Sequence, residues 1–300
     1  MMKPQTSGGY SANYTLDCER VLVTLMRGLG PWKESVFLIG GLVPRYLVRA
    51  RPPAVPAHAG TSDVDVVIDL AILTDTQAYH TLEENFKKNG FERSVNEHGR
   101  KLSWRWQTRT EHGVLMVLEL LADAPEICGG KVQALPTEGT ISALNIPHSS
   151  MVFDHHEQIE ICAELLGGNG LATEWVKYAD VVSFTCLKSL AFDQRNERKD
   201  AHDLVYCIEH ADLGLDAVVS ALIQAQGGKY PHVIRQAFDI LHRRFVGDDP
   251  TNGYKLDGPV SVAKFELGVD EEFKEARALR QREVSDLIEQ LLMRVTQPNN

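Results

Sequence analysis

The sequence has few cysteines, and they follow no recognisable pattern. Five cysteines are scattered over 300 residues without a C-x-x-C pair, so neither a zinc ribbon nor a disulfide framework is indicated. No apolar run approaches the roughly 20 residues that span a bilayer. The first ten residues are polar, which predicts no signal peptide. Together these absences favour a cytoplasmic location and no membrane partner.

Basic charge is also scarce. The formal net charge is −10, with 31 Lys and Arg against 41 Asp and Glu. This balance argues against a broad surface for nucleic acid, although a local basic groove is compatible with it. The G-x-S-x-G motif of serine hydrolases and the G-x-x-x-x-G-K-[ST] phosphate-binding loop are both missing, so neither class of enzyme is supported.

A change of pattern divides the chain near the Gly-Gly-Asn-Gly segment at 167–170. Before it, short apolar and alternating runs predict strands at 35–39, 62–70, 91–94, 101–108 and 114–121, the last three as a meander. After it, helical spacing predicts helices at 175–191, 201–210, 215–226, 232–245 and 271–295. We therefore expect an α/β (α+β) domain over 1–168, with a mixed sheet flanked by helices, and an all-helical domain over 169–300.

Two acids in the second predicted strand carry most of the chemical information. Asp63 and Asp65, within Thr61-Ser62-Asp63-Val64-Asp65, alternate with valines. Side chains alternate along a strand, so both carboxylates project to the same side. A divalent cation such as Mg²⁺ relieves the repulsion between them. A solvated strand face is the ordinary alternative for an isolated Asp-x-Asp pair.

Two neighbouring features favour the metal interpretation. Gly40-Gly41 separates a predicted strand from a predicted helix at 42–48. Such a turn can present backbone N–H groups to phosphate, or it can be a tight turn without a ligand. Glu119 lies inside the apolar segment Val114–Leu121. It is either a third carboxylate facing the metal or an outward-facing residue on an edge strand.

A cluster of charges follows in the second half of the chain. If a single helix ran through 187–204, Lys188, Arg195 and Lys199 would share one face. Lys188 emerges from an apolar stretch, so we expect it to point into a cleft, where an ammonium suits phosphate oxygens. A solvated charge run is the alternative for the other basic residues. His202 and the nearby Cys207 are residue types that can bind metal, but nothing else in the sequence indicates a metal site there, and ordinary surface or capping roles are favoured.

Three segments follow one another along the chain: the turn at Gly40-Gly41, the strand with Asp63 and Asp65, and the charge cluster that begins at Lys188. In this order they resemble the nucleotidyltransferase superfamily, and within it the AbiEii-like toxin group of bacterial toxin–antitoxin and phage-defence systems. The resemblance covers residues 36–204. It implies a helical domain that closes over the nucleotide. By motif matching it implies metal ligands at Asp63, Asp65 and Glu119, catalytic roles for these and Lys188, and nucleotide contacts from Gly40, Gly41, Arg45, Ser62, Lys188, Arg195, Lys199, Asp200 and Asp203. Asp200 or Asp203 would orient the basic residues or the acceptor.

The chain also departs from the family pattern. Many members have Gly-Ser where this chain has Gly40-Gly41, and their third acid is usually aspartate rather than a glutamate such as Glu119. The loop between the glycine turn and Asp63 is long and rich in proline. These differences leave the number of bound metals open.

The expected activity is transfer of a nucleoside monophosphate from a nucleoside triphosphate to an acceptor hydroxyl, with Mg²⁺ or Mn²⁺ as cofactor. Glu119, or one of the strand aspartates, would help to deprotonate the acceptor. The resemblance implies an RNA acceptor, a tRNA 3′ end, in a toxin with an antitoxin protein as partner. Trp104 and Trp106 alternate with basic residues and either stack on bases or pack in the core. Two alternatives are adenylylation of a protein or small molecule, and a nucleotide- or partner-binding module without turnover.

Overall fold

The computed structural model describes residues 4–10, 12–75, 82–136 and 140–296. Its contacts divide the chain into two units. The sheet unit contains residues 11–43 and 60–180, and the helical unit contains residues 1–10, 44–59 and 181–300. The predicted boundary at 168/169 precedes the observed division by twelve residues, and the segment 44–59 belongs to the helical unit.

The secondary structure contains both strands and helices up to residue 180, and the described residues after it form helices without strands. The strands are β1 (Val36–Ile39), β2 (Asp63–Ile68), β3 (Glu92–Val95), β4 (Lys101–Arg109), β5 (Leu115–Ala122), β6 (Val132–Ala134), β7 (Ser142–Asn145), β8 (His156–Glu164) and β9 (Leu171–Ala179). The α-helices are α1 (Ala12–Leu29), α2 (Pro44–Leu47), α3 (Leu70–Asp75), α4 (Leu82–Lys88), α5 (Met151–Asp154), α6 (Val181–Arg195), α7 (Arg198–Glu209), α8 (Gly214–Gln226), α9 (Pro231–Leu241), α10 (Asp257–Leu267) and α11 (Lys274–Thr296).

The strands of the sheet unit form one mixed sheet in the order β3-β4-β5-β2-β1-β9-β8, with β7 beside β5 and β6 beside β7. β3, β4 and β5 are consecutive antiparallel neighbours, which confirms the predicted meander. β1 is antiparallel to β2 and parallel to β9. All four residues of β1 are buried, as expected for an apolar strand in the middle of a sheet. The predicted mixed sheet with flanking helices is therefore confirmed.

One predicted helix proved to be partly a strand. The helix expected to begin at Trp175 starts instead at Val181, because β9 pairs with β8 over its whole length. Glu174 points inward and binds Arg27 and Lys33, whereas Trp175 is 59% exposed. A half-buried strand normally alternates apolar inward residues with polar outward ones. Here an acid is buried and the neighbouring aromatic residue is exposed, so the sequence does not show the alternation that indicates a strand.

The predicted helices of the helical unit are confirmed, with two differences. The continuous helix considered for 187–204 is wrong, because α6 ends at Arg195 and Asn196 adopts a left-handed φ of +57° before α7. Sequence patterns also missed α10, whose first turn contains Gly258 and Pro259. A proline in the first turn is tolerated because the N–H it lacks would have no helical partner there. Among the described residues, no helix combines the length and apolar character needed to cross a membrane.

Candidate metal and nucleotide site

Three carboxylates lie together on one face of the sheet. In the parallel pair of β2 and β5, Asp65 is directly opposite Glu119, and Asp63 is opposite Val117. Residues directly opposite each other project to the same face, and so do alternate residues of one strand. Asp63, Asp65 and Glu119 therefore share a face, which we call the acid face. All three are partly exposed, so water and ions can reach them.

The residues just before β2 fix the position of Asp63. The backbone N–H of Asp63 donates to Thr61 Oγ1 over 3.3 Å, and Ser62 Oγ donates to Asp63 Oδ1 over 3.4 Å. Thr61 is itself buried, and Cys18 Sγ on α1 donates to its carbonyl oxygen over 3.5 Å. Ser62, predicted to contact the nucleotide, thus orients an acid in this structure.

Gly40 lies directly beneath the side chain of Asp65. Its φ is +77°, a left-handed conformation that glycine adopts without strain. A Cβ atom at position 40 would lie 2.0 Å from Asp65 Oδ2. Glycine is therefore needed for two reasons, the backbone conformation and the space taken by the carboxylate.

The helix predicted at 42–48 as a phosphate-binding element is much shorter than expected. A 3-10 turn spans Gly40–Leu42, and α2 adds only four residues, with Pro44 at its start. A helix of one turn has few aligned peptide dipoles, so it provides little of the positive N-terminal field on which the prediction depended. The observed role of Gly40 is steric, and Gly41 follows it in the same turn.

Basic residues on β4 adjoin the acid face. Arg105 is directly opposite Glu119, and its Nε lies 3.2 Å from Glu119 Oε1. Arg109 lies four residues further along and projects to the same side. Trp106 points the other way, is fully buried and packs on Phe86, so at least one of the two tryptophans is a core residue. From the sequence, Arg105 is only one of the basic residues that alternate with Trp104 and Trp106. Alternation along β4 places it on one face of the strand but does not identify Glu119 as its partner.

The charged residues predicted around Lys188 form a network in the helical unit, which is buried at Lys188, Asp200 and Asp203 and exposed at Arg195. Lys188 Nζ donates to Asp200 Oδ1 and to Asp203 Oδ2, each over 2.9 Å. Arg195 binds Asp200 Oδ2 at 2.7 Å, and Lys199 binds Asp203 Oδ2 at 2.7 Å. Asp200 and Asp203 therefore orient the three basic residues, although α6 and α7 are separate helices.

Electrostatics keeps this network ionised. Burial alone would raise the pKa of Asp203, but the ammonium groups of Lys188 and Lys199 hold it well below its usual range. Burial likewise disfavours the charged form of Lys188, yet Asp200 and Asp203 raise its pKa. Breaking such a buried pair costs about 3–5 kcal/mol because the remaining charge loses its partner. The network is thus a structural element of the helical unit, and contact of Lys188 with a nucleotide stays a prediction.

The residues predicted to bind nucleotide fall into two groups. Gly40, Gly41 and Ser62 lie in the sheet unit with the acid face, whereas Arg45 lies on α2 in the helical unit. Arg45 contributes its carbonyl oxygen to Arg51, which donates from Nη2 over 2.8 Å. Lys188, Arg195, Lys199, Asp200 and Asp203 also belong to the helical unit.

Comparison with known proteins gives no family assignment. No protein-family model matches the chain. A search of curated proteins likewise finds no significant match. The functional interpretation therefore depends on the residues of this chain and their geometry.

Proposed function

We propose that the protein is a metal-dependent nucleotidyltransferase whose acid face binds Mg²⁺ or Mn²⁺ together with a nucleoside triphosphate. The observation that carries this proposal is the arrangement of Asp63, Asp65 and Glu119 on one sheet face, with Gly40 beneath Asp65. The nucleotidyltransferase-like interpretation of the fold belongs to the same proposal.

The acid face has the properties that a magnesium site requires. Directly opposed residues on neighbouring strands have Cβ atoms about 5 Å apart, and two carboxylates at that distance repel by up to about 3 kcal/mol at an effective dielectric constant of 20. Hard oxygen ligands with water access are those that Mg²⁺ prefers. Gly40 leaves room for the carboxylate of Asp65, which a side chain would displace. The residues present therefore fit a divalent cation.

Each residue then has a defined task in the reaction. Asp63 and Asp65 would hold the cation against the triphosphate, where it would supply electrostatic stabilisation of the phosphate oxygens. The acceptor oxygen bonds to the α-phosphorus as the bond from that phosphorus to pyrophosphate breaks. Glu119, or one of the aspartates, accepts the proton of the acceptor hydroxyl. Arg105 neutralises Glu119 in the observed arrangement, so it influences whether Glu119 serves as a ligand or as a base.

The acceptor is proposed from the family resemblance alone. An RNA 3′ end, such as that of a tRNA, is the first candidate, and a toxin role with an antitoxin partner follows from the same resemblance. Arg105 and Arg109 supply local positive charge beside the acid face, which suits a polyanion in spite of the acidic net charge.

Labelled nucleotide distinguishes the candidate acceptors. The protein is incubated with α-labelled nucleoside triphosphates, Mg²⁺ and total RNA, and products are separated by size. Label on RNA supports the first candidate, and label on protein or on a small molecule supports adenylylation. The absence of both label and Mn²⁺–nucleotide binding would overturn the proposal.

A matched pair of variants tests the site. Asp65→Asn should reduce transfer roughly a thousandfold, because a neutral amide holds a divalent cation poorly. Glu160→Gln, on the exposed edge strand β8, should leave transfer unchanged. Growth arrest on expression, relieved by Asp65→Asn, would support the toxin role. Undiminished transfer by Asp65→Asn would refute the proposed chemistry.

A further inference from the structure

Two histidines and an aspartate of the helical unit bring metal-binding atoms close together. His58 follows α2 in the segment 44–59, whereas His202 and Asp203 are neighbours on α7. Each contributes one ligand atom, and these atoms lie within 4.8 Å of one another. His58 Nε2 is 2.8 Å from Asp203 Oδ1, and the two imidazole rings are nearly parallel, with centroids 5.6 Å apart.

The hydrogen bonds of His202 provide a second observation, independent of the distances between the three residues. Only 5% of the residue is exposed, and its Nδ1 lies 3.1 Å from Glu266 Oε1. The ring therefore donates its Nδ1–H to the carboxylate of Glu266, which leaves Nε2 as an acceptor. This buried Nε2 has no hydrogen-bond partner among the residues that the structure describes. Metal-binding histidines commonly donate one ring N–H to a carboxylate while the other nitrogen binds the ion.

We propose that His58, His202 and Asp203 form a Zn²⁺ site that ties the segment 44–59 to α7. Two imidazole nitrogens with one carboxylate oxygen suit zinc, whereas Mg²⁺ prefers oxygen ligands. The ion would satisfy the unpartnered nitrogen of His202. This site uses none of the residues of the acid face, and the proposal does not depend on nucleotidyl transfer.

The lysines around Asp203 set the conditions for binding. Lys188 and Lys199 approach Oδ2 at 2.9 and 2.7 Å, while Oδ1 receives His58 and Lys199 at 2.8 and 2.9 Å. Each carboxylate oxygen has two lone pairs, so Oδ2 can keep both ammonium groups when Oδ1 binds an ion. The positive charge of the two lysines repels any cation at this position. A metal ion that binds imidazole nitrogen, such as Zn²⁺, is therefore favoured over one that depends on carboxylate oxygens alone.

Zinc binding would require small changes in the distances between these ligand atoms. Tetrahedral zinc, with bonds of about 2.0–2.1 Å, keeps its ligand atoms about 3.3 Å apart. The observed 2.8 Å between His58 and Asp203 must widen slightly, and His202 must approach both. Water would complete the coordination.

Metal is first removed from the full chain with EDTA, and zinc binding is then measured after Zn²⁺ is added. We expect a single zinc ion per chain by elemental analysis, and a Tm increase of roughly 5 °C at a hundredfold excess over Kd. Co²⁺ in the same site should give the strong visible absorption of a tetrahedral complex. Asp203 is not substituted, because its loss would remove the carboxylate that the ammonium groups of Lys188 and Lys199 share.

The variants decide between a zinc site and a hydrogen-bonded cluster. His58→Gln and His202→Gln should each lose zinc, the Tm increase and the Co²⁺ spectrum. His242→Ala, at an exposed histidine of the same unit, and Asp65→Asn, on the acid face, should retain all three. Absence of zinc from the wild-type protein, or zinc retained by both glutamine variants, would overturn the proposal. So would zinc lost through Asp65→Asn, since the ion would then occupy the acid face.

Discussion

Replacing Gly40 with alanine perturbs the acid face at a position where the structure gives a definite distance. The new Cβ would lie 2.0 Å from Asp65 Oδ2, closer than any real contact, so the carboxylate must move by about 1 Å. A misplacement of that size in a catalytic group can reduce the rate about a hundredfold. The left-handed φ of +77° adds a backbone penalty of about 1–2 kcal/mol. We therefore expect a modest loss of stability and a large loss of transfer.

The chain offers a matched control for the backbone term. Gly30 also has a left-handed φ, +57°, but a Cβ there would meet no atom within 4 Å. Gly30→Ala should thus lose a similar 1–2 kcal/mol in urea unfolding while keeping nucleotide transfer and Mn²⁺ binding. Equal transfer by Gly40→Ala and the wild type, or an equal loss in Gly30→Ala, would refute the steric role of Gly40.

Three further predictions concern charged residues. Arg105→Gln frees Glu119 from its ion pair and should tighten Mn²⁺ binding several-fold by electron paramagnetic resonance, whereas weaker binding would indicate that Arg105 supports the site. Lys188→Met leaves two buried carboxylates with less positive charge and should lower the free energy of unfolding by about 3–5 kcal/mol, measured with urea; a loss below about 1 kcal/mol would contradict the network. Burial would raise the pKa of Asp193, but hydrogen bonds from two arginines lower it, so its stabilising contribution is complete above its unfolded pKa of about 4 and disappears at lower pH. Asp193→Asn should remove that difference between pH 5 and pH 2, and an unchanged pH profile would contradict it.

The sequence alone determined the local features of the acid face. Alternation along a strand depends only on covalent geometry, so the shared face of Asp63 and Asp65 could be predicted without a fold. The meander from β3 to β5 was predictable for a similar reason, since neighbouring strands in sequence commonly pair. The helices after residue 198, with the exception of α10, followed from their apolar periodicity.

Only the tertiary structure decided which distant groups meet. The register that sets Glu119 opposite both Asp65 and Arg105 depends on strand order across the whole sheet. The close approach of Gly40 to Asp65 and the meeting of His58 with α7 likewise depend on long-range packing. Prediction from the local sequence pattern failed most clearly at β9. There Glu174 points inward and pairs with residues far away in the sequence, so a polar residue occupies a position that is usually apolar. Such contacts join residues far apart in sequence, so spacing along the chain carries no signal for them.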